Sequence, residues 1–505
     1  MSPFIVGSVI VVYFSVLFII SRYTSRNADN AAFFNANKKA PWFVVAFGMV
    51  GVSLSGVTFI SVPGWVGNSN FYYFQLVLGY IIGYIIIAKI LLPLYYSLEL
   101  TSIYTYLEQR FGRFSYKTGA SFFLLSRTIG AAFRLYIVAR VLQISFFNHY
   151  NIPFELTTIV TIALIWIYTN KGGIKTIIWT DTLQTFFLLS AVVITIFIVV
   201  KRLDFGDMSV VQTIADSDYS RMFNFEWNSK WHFLKQIVSG AFITIVMTGL
   251  DQDMMQKNLS CRNLKDAQKN MYWYGSSFLV FNLFFLGLGA LLYMYIQQMG
   301  ISAFPDSEFA FNPDTNVFVN TDDLYPYLAT HEFGLFAGVF FLLGIIAAAF
   351  SSADSALTAL TTSFTIDIVG ITHKTEKQVR TQRRVSHVLF SVLLAGVILV
   401  FHLINNNAVI DAIFTAAGYT YGPILGMFAF GLFTKRNIKD KFIPYIAVIS
   451  PLLCFFLSVI STRFWEYNFG YEILLLNGLL TFIGMFCVSY SKNLKKENLL
   501  TFKKS

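Results

Sequence analysis

The 505-residue sequence has little charge. Asp, Glu, Lys and Arg together make up 13% of it, against 56% hydrophobic side chains and a mean hydropathy of +0.61. A soluble domain has too little interior for that much apolar surface, so the composition marks a polytopic membrane protein. Cysteine is also scarce, with three in all. Cys261, Cys454 and Cys487 lie far apart, two in apolar runs and one in a basic loop, which speaks against a disulfide framework, a cysteine metal site and redox chemistry. Residues 1–26 lack both a basic segment ahead of the apolar run and a small-residue cleavage site, and so read as a retained helix instead of a signal peptide. The formal charge of +10 would suit nucleic acid. Its Lys and Arg, however, sit in short loops between apolar runs, which is a topology signal and speaks against a nucleic-acid partner.

A straight spanning helix needs about 20 apolar residues. Thirteen such runs lie near 3–21, 42–67, 71–97, 118–147, 153–170, 176–200, 232–256, 271–298, 334–366, 386–405, 408–433, 443–461 and 472–490. Every second loop is basic, Lys257, Arg262, Lys265 and Lys269 forming one of them, whereas the loop 301–332 on the other side has no Lys or Arg. The positive-inside rule then places the N-terminus outside and the C-terminus in the cytoplasm. The expectation is an all-α polytopic protein of a plasma (bacterial inner) membrane, with about 13 transmembrane helices.

Two runs have polar, glycine-rich middles. One carries Gly51, Ser53, Ser55, Gly56 and Pro63; the other carries Gly240, Thr244, Thr248, Gly249 and Asp251. Interrupted helices five runs apart predict two inverted five-helix repeats with broken first helices, near 41–200 and 231–433, meeting at a midplane binding site. Ordinary close packing of small residues between helices is the alternative. The chain divides accordingly into an extra N-terminal helix and basic loop (1–40), a transport core (41–433), and two further helices with a short tail (434–505).

Within the apolar stretch 338–368 the cluster Ser351-Ser352-Ala353-Asp354-Ser355 stands out. An unpaired carboxylate in hydrocarbon costs ~2.5–3.5 kcal/mol on insertion scales, so a partner is expected. Ala348, Ser351 and Ser352 fall at i, i+3 and i+4 and share a helix face, where one carbonyl and two hydroxyls can converge on a hard cation. The hydroxyls could instead bond back to their own helix. Three arginines share another run. Arg127 and Arg134 are two turns apart and nearly share a face, while Arg140 is close enough to the outer surface to snorkel. Arg134 is the candidate for holding an anionic group on a substrate, since guanidinium grips carboxylates bidentately; pairing with a protein acid or carbonyl is the alternative.

Several motifs in this order carry a resemblance. They are Lys171-Gly172-Gly173 followed by Trp179-Thr180-Asp181 and Gln184; Asp251-Gln252 through Gln256-Lys257 to Asp266-Ala267-Gln268-Lys269; Ser351-Ser352 followed by Phe364-Thr365-Ile366-Asp367-Ile368; and Gly431-Leu432-Phe433. Together they resemble the sodium:solute symporter family, which includes bacterial sugar, proline and sialate carriers. The resemblance implies a leucine-transporter-like 5+5 helix core, alternating access and sodium as the coupling ion. It also implies that the carbonyls of Gly51 and Leu54 complete a sodium site with Ala348, Ser351 and Ser352, and that Asp181, Asp354 and Ser355 form a second cation site. Asp354 departs from the plain hydroxyl of the sugar and sialate carriers and could hold an ion, carry a proton or pair with Arg127.

Mapped through the same motifs, the sugar carriers' polar ligands correspond to Thr58, Val77, Tyr80, Thr244, Phe278 and Phe414. Acid, lysine and carboxamides are missing, which speaks against a galactose-like sugar because its hydroxyls would go unpaired. Thr58, Tyr80, Arg134, Thr244, Thr248 and Phe414 are left as candidate substrate residues for a small, partly apolar solute or organic anion. The expected function is sodium-coupled import of a small organic solute through the bilayer by a chain that can work as a monomer, with no enzyme chemistry and no cofactor. The alternatives are a proton-coupled carrier of the same fold using Asp181 or Asp354, and a transporter-like substrate sensor. The short basic run after Ser489, with no signalling domain, disfavours the sensor, and no selectivity-filter sequence suggests a channel.

Overall fold

The computed structural model describes residues 3–490 except 27–28, 306, 308, 313, 315–316, 372–373, 405–408 and 466. The basic tail from 491 onward and the side chain of Lys171 lie outside the described residues. Eight helices are long and apolar enough to cross a membrane singly, among them Arg113–Ile144, Ile174–Arg202, Leu264–Gln298 and Gly334–Val369. Three further spans are bent helix pairs, bringing the number to 11. The remaining two apolar runs fold as the helices Phe154–Gly172 and Ile473–Cys487, of which the second, at 15 residues, is short for a straight span. Large apolar side chains such as Val448, Leu452 and Phe455 are left facing outward on the helix Ile443–Trp465, as a hydrocarbon environment allows.

Both glycine-rich runs are broken. In the first, the helix Trp42–Ser53 stops at Leu54, Ser55 leaves helical geometry, and the chain resumes as Gly56–Ser69 at 52°. In the second, the helix from Phe233 widens into a π-turn over Ile245–Gly249 and restarts at 68° as Gln252–Asn258. Asp251 caps that restart, its carboxylate accepting from the Asp253 and Met254 amides, so a polar residue replaces the helix bonds lost at the break. A third break was not expected. The run 408–433 bends by 48° between Asp411–Thr420 and Gly422–Phe433, where Pro423 lacks an amide hydrogen and begins a new helix.

Two packings position the site. The helix Gly334–Ser363, called here the serine helix, runs along Ile174–Arg202, and the first broken helix packs on the latter as well. The helix Tyr73–Ile86 lies against Phe233–Thr244 with backbones nearly touching. A Cβ on Gly79 would come 2.1 Å from the Ile237 carbonyl oxygen, and one on Gly240 would come 2.2 Å from that of Leu76. Small residues let membrane helices approach this closely. Gly240→Ala should therefore push the two helices apart at a cost of ~1–3 kcal/mol. A lowered melting temperature of the purified protein in detergent checks this.

Candidate functional site

The break in the first broken helix meets the serine helix. The Ser352 hydroxyl donates to the Val52 carbonyl at 3.0 Å, and the Ser351 hydroxyl donates to Asp181 Oδ1 at 2.7 Å. Both hydroxyls therefore reach across to other helices, not back to their own. At the same break, among the described residues, no backbone amide donates to the Gly51 or Leu54 carbonyl, the Leu54 amide itself going to Val50. Gly51 is required by close approach, since a Cβ there would lie 2.0 Å from Thr185 Oγ1. Thr185 in turn donates to the Phe47 carbonyl at 3.0 Å, fixing the first broken helix to Ile174–Arg202.

The neighbouring turn holds a residue that belongs to one of the motifs but carried no role at a site from sequence alone. Lys257, placed above among cytoplasmic loop charges, is 1% exposed. Its ammonium lies 2.7 Å from Asp181 Oδ2 and 2.7 Å from Ser355 Oγ. The Asp354 carboxylate accepts from the Tyr168 hydroxyl at 2.7 Å and from Ser355 at 3.2 Å. Asp181, Asp354 and Ser355 are thus brought together, with a lysine among them.

A pairing of Asp354 with Arg127 is overturned. Arg127 is bonded to Asp253 and has Asp251 at 3.9 Å, both acids sitting on the restarted half of the second broken helix. Asp251 also accepts from the Tyr421 hydroxyl at the third break. Arg140 does not simply snorkel: it reaches Asp323 at 3.1 Å. Arg134 differs from both. It is half-buried, no hydrogen bond or ion pair reaches it among the described residues, and it faces a cavity.

That cavity, about 90 Å³, lies between the two breaks. Thr58, Tyr80, Arg134, Thr244, Thr248 and Phe414 all line it, joined by Arg127, Tyr73, Tyr84, Tyr274 and Phe278; Val77 is buried elsewhere. Tyr274, absent from the sequence reading, links the two broken helices' surroundings by bonding to Ser53 and to Tyr84. A second, wider vestibule of about 1740 Å³ opens on the side of the Lys- and Arg-free loop and is lined by Trp65, Arg140, Asp322 and Asp323 among others. Trp65 packs edge-on against Tyr73 at 5.8 Å, so this aromatic pair stands between the vestibule and the cavity.

The remaining motif residues tie helices together. Gln252 bonds to the Ile103 amide and the Thr101 carbonyl, and Gln256 bonds to the Phe34 carbonyl and Thr362. Asp367 gathers hydroxyls from Ser102, Tyr116 and Ser363. These bonds offset the cost of burying the polar groups that make them, while Gln256 Oε1 has no hydrogen-bond partner among the described residues.

A family model described as the sodium:solute symporter family matches residues 33–461. The chain is 25% identical over 462 residues to the sodium/sialic acid symporter NanT of Aliivibrio fischeri, covering 87% of this chain and 85% of that one. It is 25% identical over 401 residues to the sodium-coupled monocarboxylate transporter 1 of Xenopus laevis, covering 77% of this chain and 60% of that one. The fold matches a solved structure of a Na+-coupled sialic acid symporter, in a substrate-bound outward-open state, with a TM-score of 0.78 at 21% identity over 96% of this chain and 97% of that one.

Proposed function

The chain belongs to the sodium:solute symporter family and is a multi-pass membrane transporter of leucine-transporter-like fold, not an enzyme; from that premise we propose that it couples sodium entry to import of a small organic anion. The observation that carries the anion is Arg134, a guanidinium beside the broken helices that no hydrogen bond or ion pair reaches among the described residues. A half-buried cation facing a cavity is stabilised by a ligand carboxylate, which its fork can hold bidentately. The cavity suits a small ligand. At about 90 Å³ it has room for a small carboxylate beside Arg134, with an apolar tail against Tyr80, Phe278 and Phe414. The named relatives include carriers of a monocarboxylate and of sialic acid, and the small cavity favours the former class.

Sodium is proposed to bind at the break, where among the described residues the Gly51 and Leu54 carbonyls accept no backbone donor, with Ala348, Ser351 and Ser352 of the adjoining serine helix supplying the other oxygens. Such a hard oxygen set suits an alkali cation. A bound ion would tie the first broken helix to the serine helix and favour the state open to the vestibule, taken as the outer side; substrate would then bind beneath Trp65 and Tyr73. The core is 41–433, flanked by the helices of 1–40 and 434–505, with the N-terminus outside. Uptake of short monocarboxylates into proteoliposomes, driven by an inward sodium gradient, is the test. Uptake driven by a pH gradient without sodium would instead establish a proton carrier and overturn the proposal. Ser352→Ala should raise the sodium concentration for half-maximal uptake by roughly tenfold, the loss of one ligand being worth ~1–1.5 kcal/mol. Its abundance in the membrane should stay near the parent's; an unchanged sodium dependence would place the ion elsewhere.

A further inference from the structure

We propose that the Lys257 ammonium is a built-in cation at the second cation position, so that this chain couples transport to one sodium ion and not two. The inference rests on the sodium-coupled reading above and concerns its stoichiometry. Lys257 engages Asp181 Oδ2 and Ser355 Oγ, each at 2.7 Å, so it uses the carboxylate and the hydroxyl that a second sodium would need. The other Asp181 oxygen accepts from Ser351, and Ser355 passes its hydrogen to Asp354. The Asp181 carboxylate is therefore neutralised by a charge that is part of the chain.

Lys257 is not in place by chance. A lysine near a helix end ordinarily turns its head group to water. Here the helix Gln252–Asn258 is pinned on both sides, by Gln252 to residues 101–103 and by Gln256 to Phe34 and Thr362, and every one of its residues is buried. The ammonium has Asp181 as its direct ion-pair partner, with the Asp354 carboxylate reached through Ser355. Adding sodium to the same oxygens would bring two positive charges together where water does not screen them, and like charges at such a site disfavour each other's ionised or bound forms. The position at Ser352 is less directly affected, because Ser352 turns to the Val52 carbonyl on the first broken helix and, among the described residues, no hydrogen bond joins it to Lys257 or Asp181.

The test uses sodium itself and needs no knowledge of the substrate. Full-length protein, purified into proteoliposomes, is titrated with radioactive sodium, and sodium-dependent thermal stabilisation is followed in parallel. The parent should bind one ion per chain with a Hill slope of about one, and Lys257→Ala should bind two with a slope rising toward two, the upper limit for two sites. Combining Lys257→Ala with Asp181→Asn should return the count to one. Two ions on the parent protein, or a Lys257→Ala variant that still binds one, would overturn the proposal while leaving sodium coupling intact. No sodium binding to the parent would overturn both this inference and the coupling on which it rests. The count on the parent tests the proposal without any variant, and Lys257→Ser carries the same expectation should the alanine variant fail to accumulate.

Discussion

Arg134→Gln should abolish measurable affinity for a carboxylate substrate while leaving the protein folded. Truncating one partner of a buried, hydrogen-bonded charge pair costs ~2–5 kcal/mol, or roughly 30- to 5000-fold in affinity. The fold should not suffer, since among the described residues Arg134 makes no hydrogen bond or ion pair that would be lost. Removing an unpaired cation from a buried wall can even raise the melting temperature slightly. Arg134→Lys keeps the charge but loses the planar fork and should fall between the two. The measurement is uptake KM for a panel of short aliphatic and aromatic monocarboxylates, together with substrate-induced thermal shift. A glutamine variant that keeps its KM would remove the carboxylate from the proposal. A neutral solute transported equally well by parent and variant would identify the replacement.

Much of the site could be read before any coordinates because its elements are local in sequence. Glycines and hydroxyls interrupting an apolar run locate a broken helix without reference to its neighbours, and both expected breaks are present, at Leu54–Ser55 and at Leu250–Asp251. The i, i+3, i+4 spacing of Ala348, Ser351 and Ser352 likewise places them toward one face. The six residues put forward for substrate meet in one cavity because they lie on the two broken helices and on the spans beside them.

What could not be read depends on azimuth and on distant partners. Arg127 lies at a depth where Asp354 is a plausible mate, but depth along a helix does not say which way a side chain points; the structure turns Arg127 to Asp253 and leaves Asp354 to Tyr168. Lys257 resembles any other lysine of a cytoplasmic loop until Asp181, 76 residues earlier, is seen beside it. The break before Pro423 was hidden by composition, because apolar residues on both sides of Tyr421 and Gly422 make one continuous run.

Arg127 should behave in the opposite way to Arg134, although both line the cavity and stand two turns apart on one helix. Arg127→Met leaves two fully buried carboxylates, Asp251 and Asp253, without a cation. They are not equally exposed to the loss. Asp251 keeps the Tyr421 hydroxyl and the amides it caps, whereas Asp253 loses its ion-pair partner and already has one oxygen with no hydrogen bond. Breaking a buried pair from one side costs ~3–5 kcal/mol, so the variant should unfold at a markedly lower temperature even with no substrate present. Replacing both members with apolar residues of similar size is often neutral, so Arg127→Met combined with Asp253→Leu should recover most of the lost stability. Thermal unfolding of the two single variants and the double variant forms a cycle whose coupling term should be large and favourable. If Arg127→Met instead kept its melting temperature and lost only substrate affinity, Arg127 would be the anion-binding arginine, and the roles of the two residues would have to be exchanged.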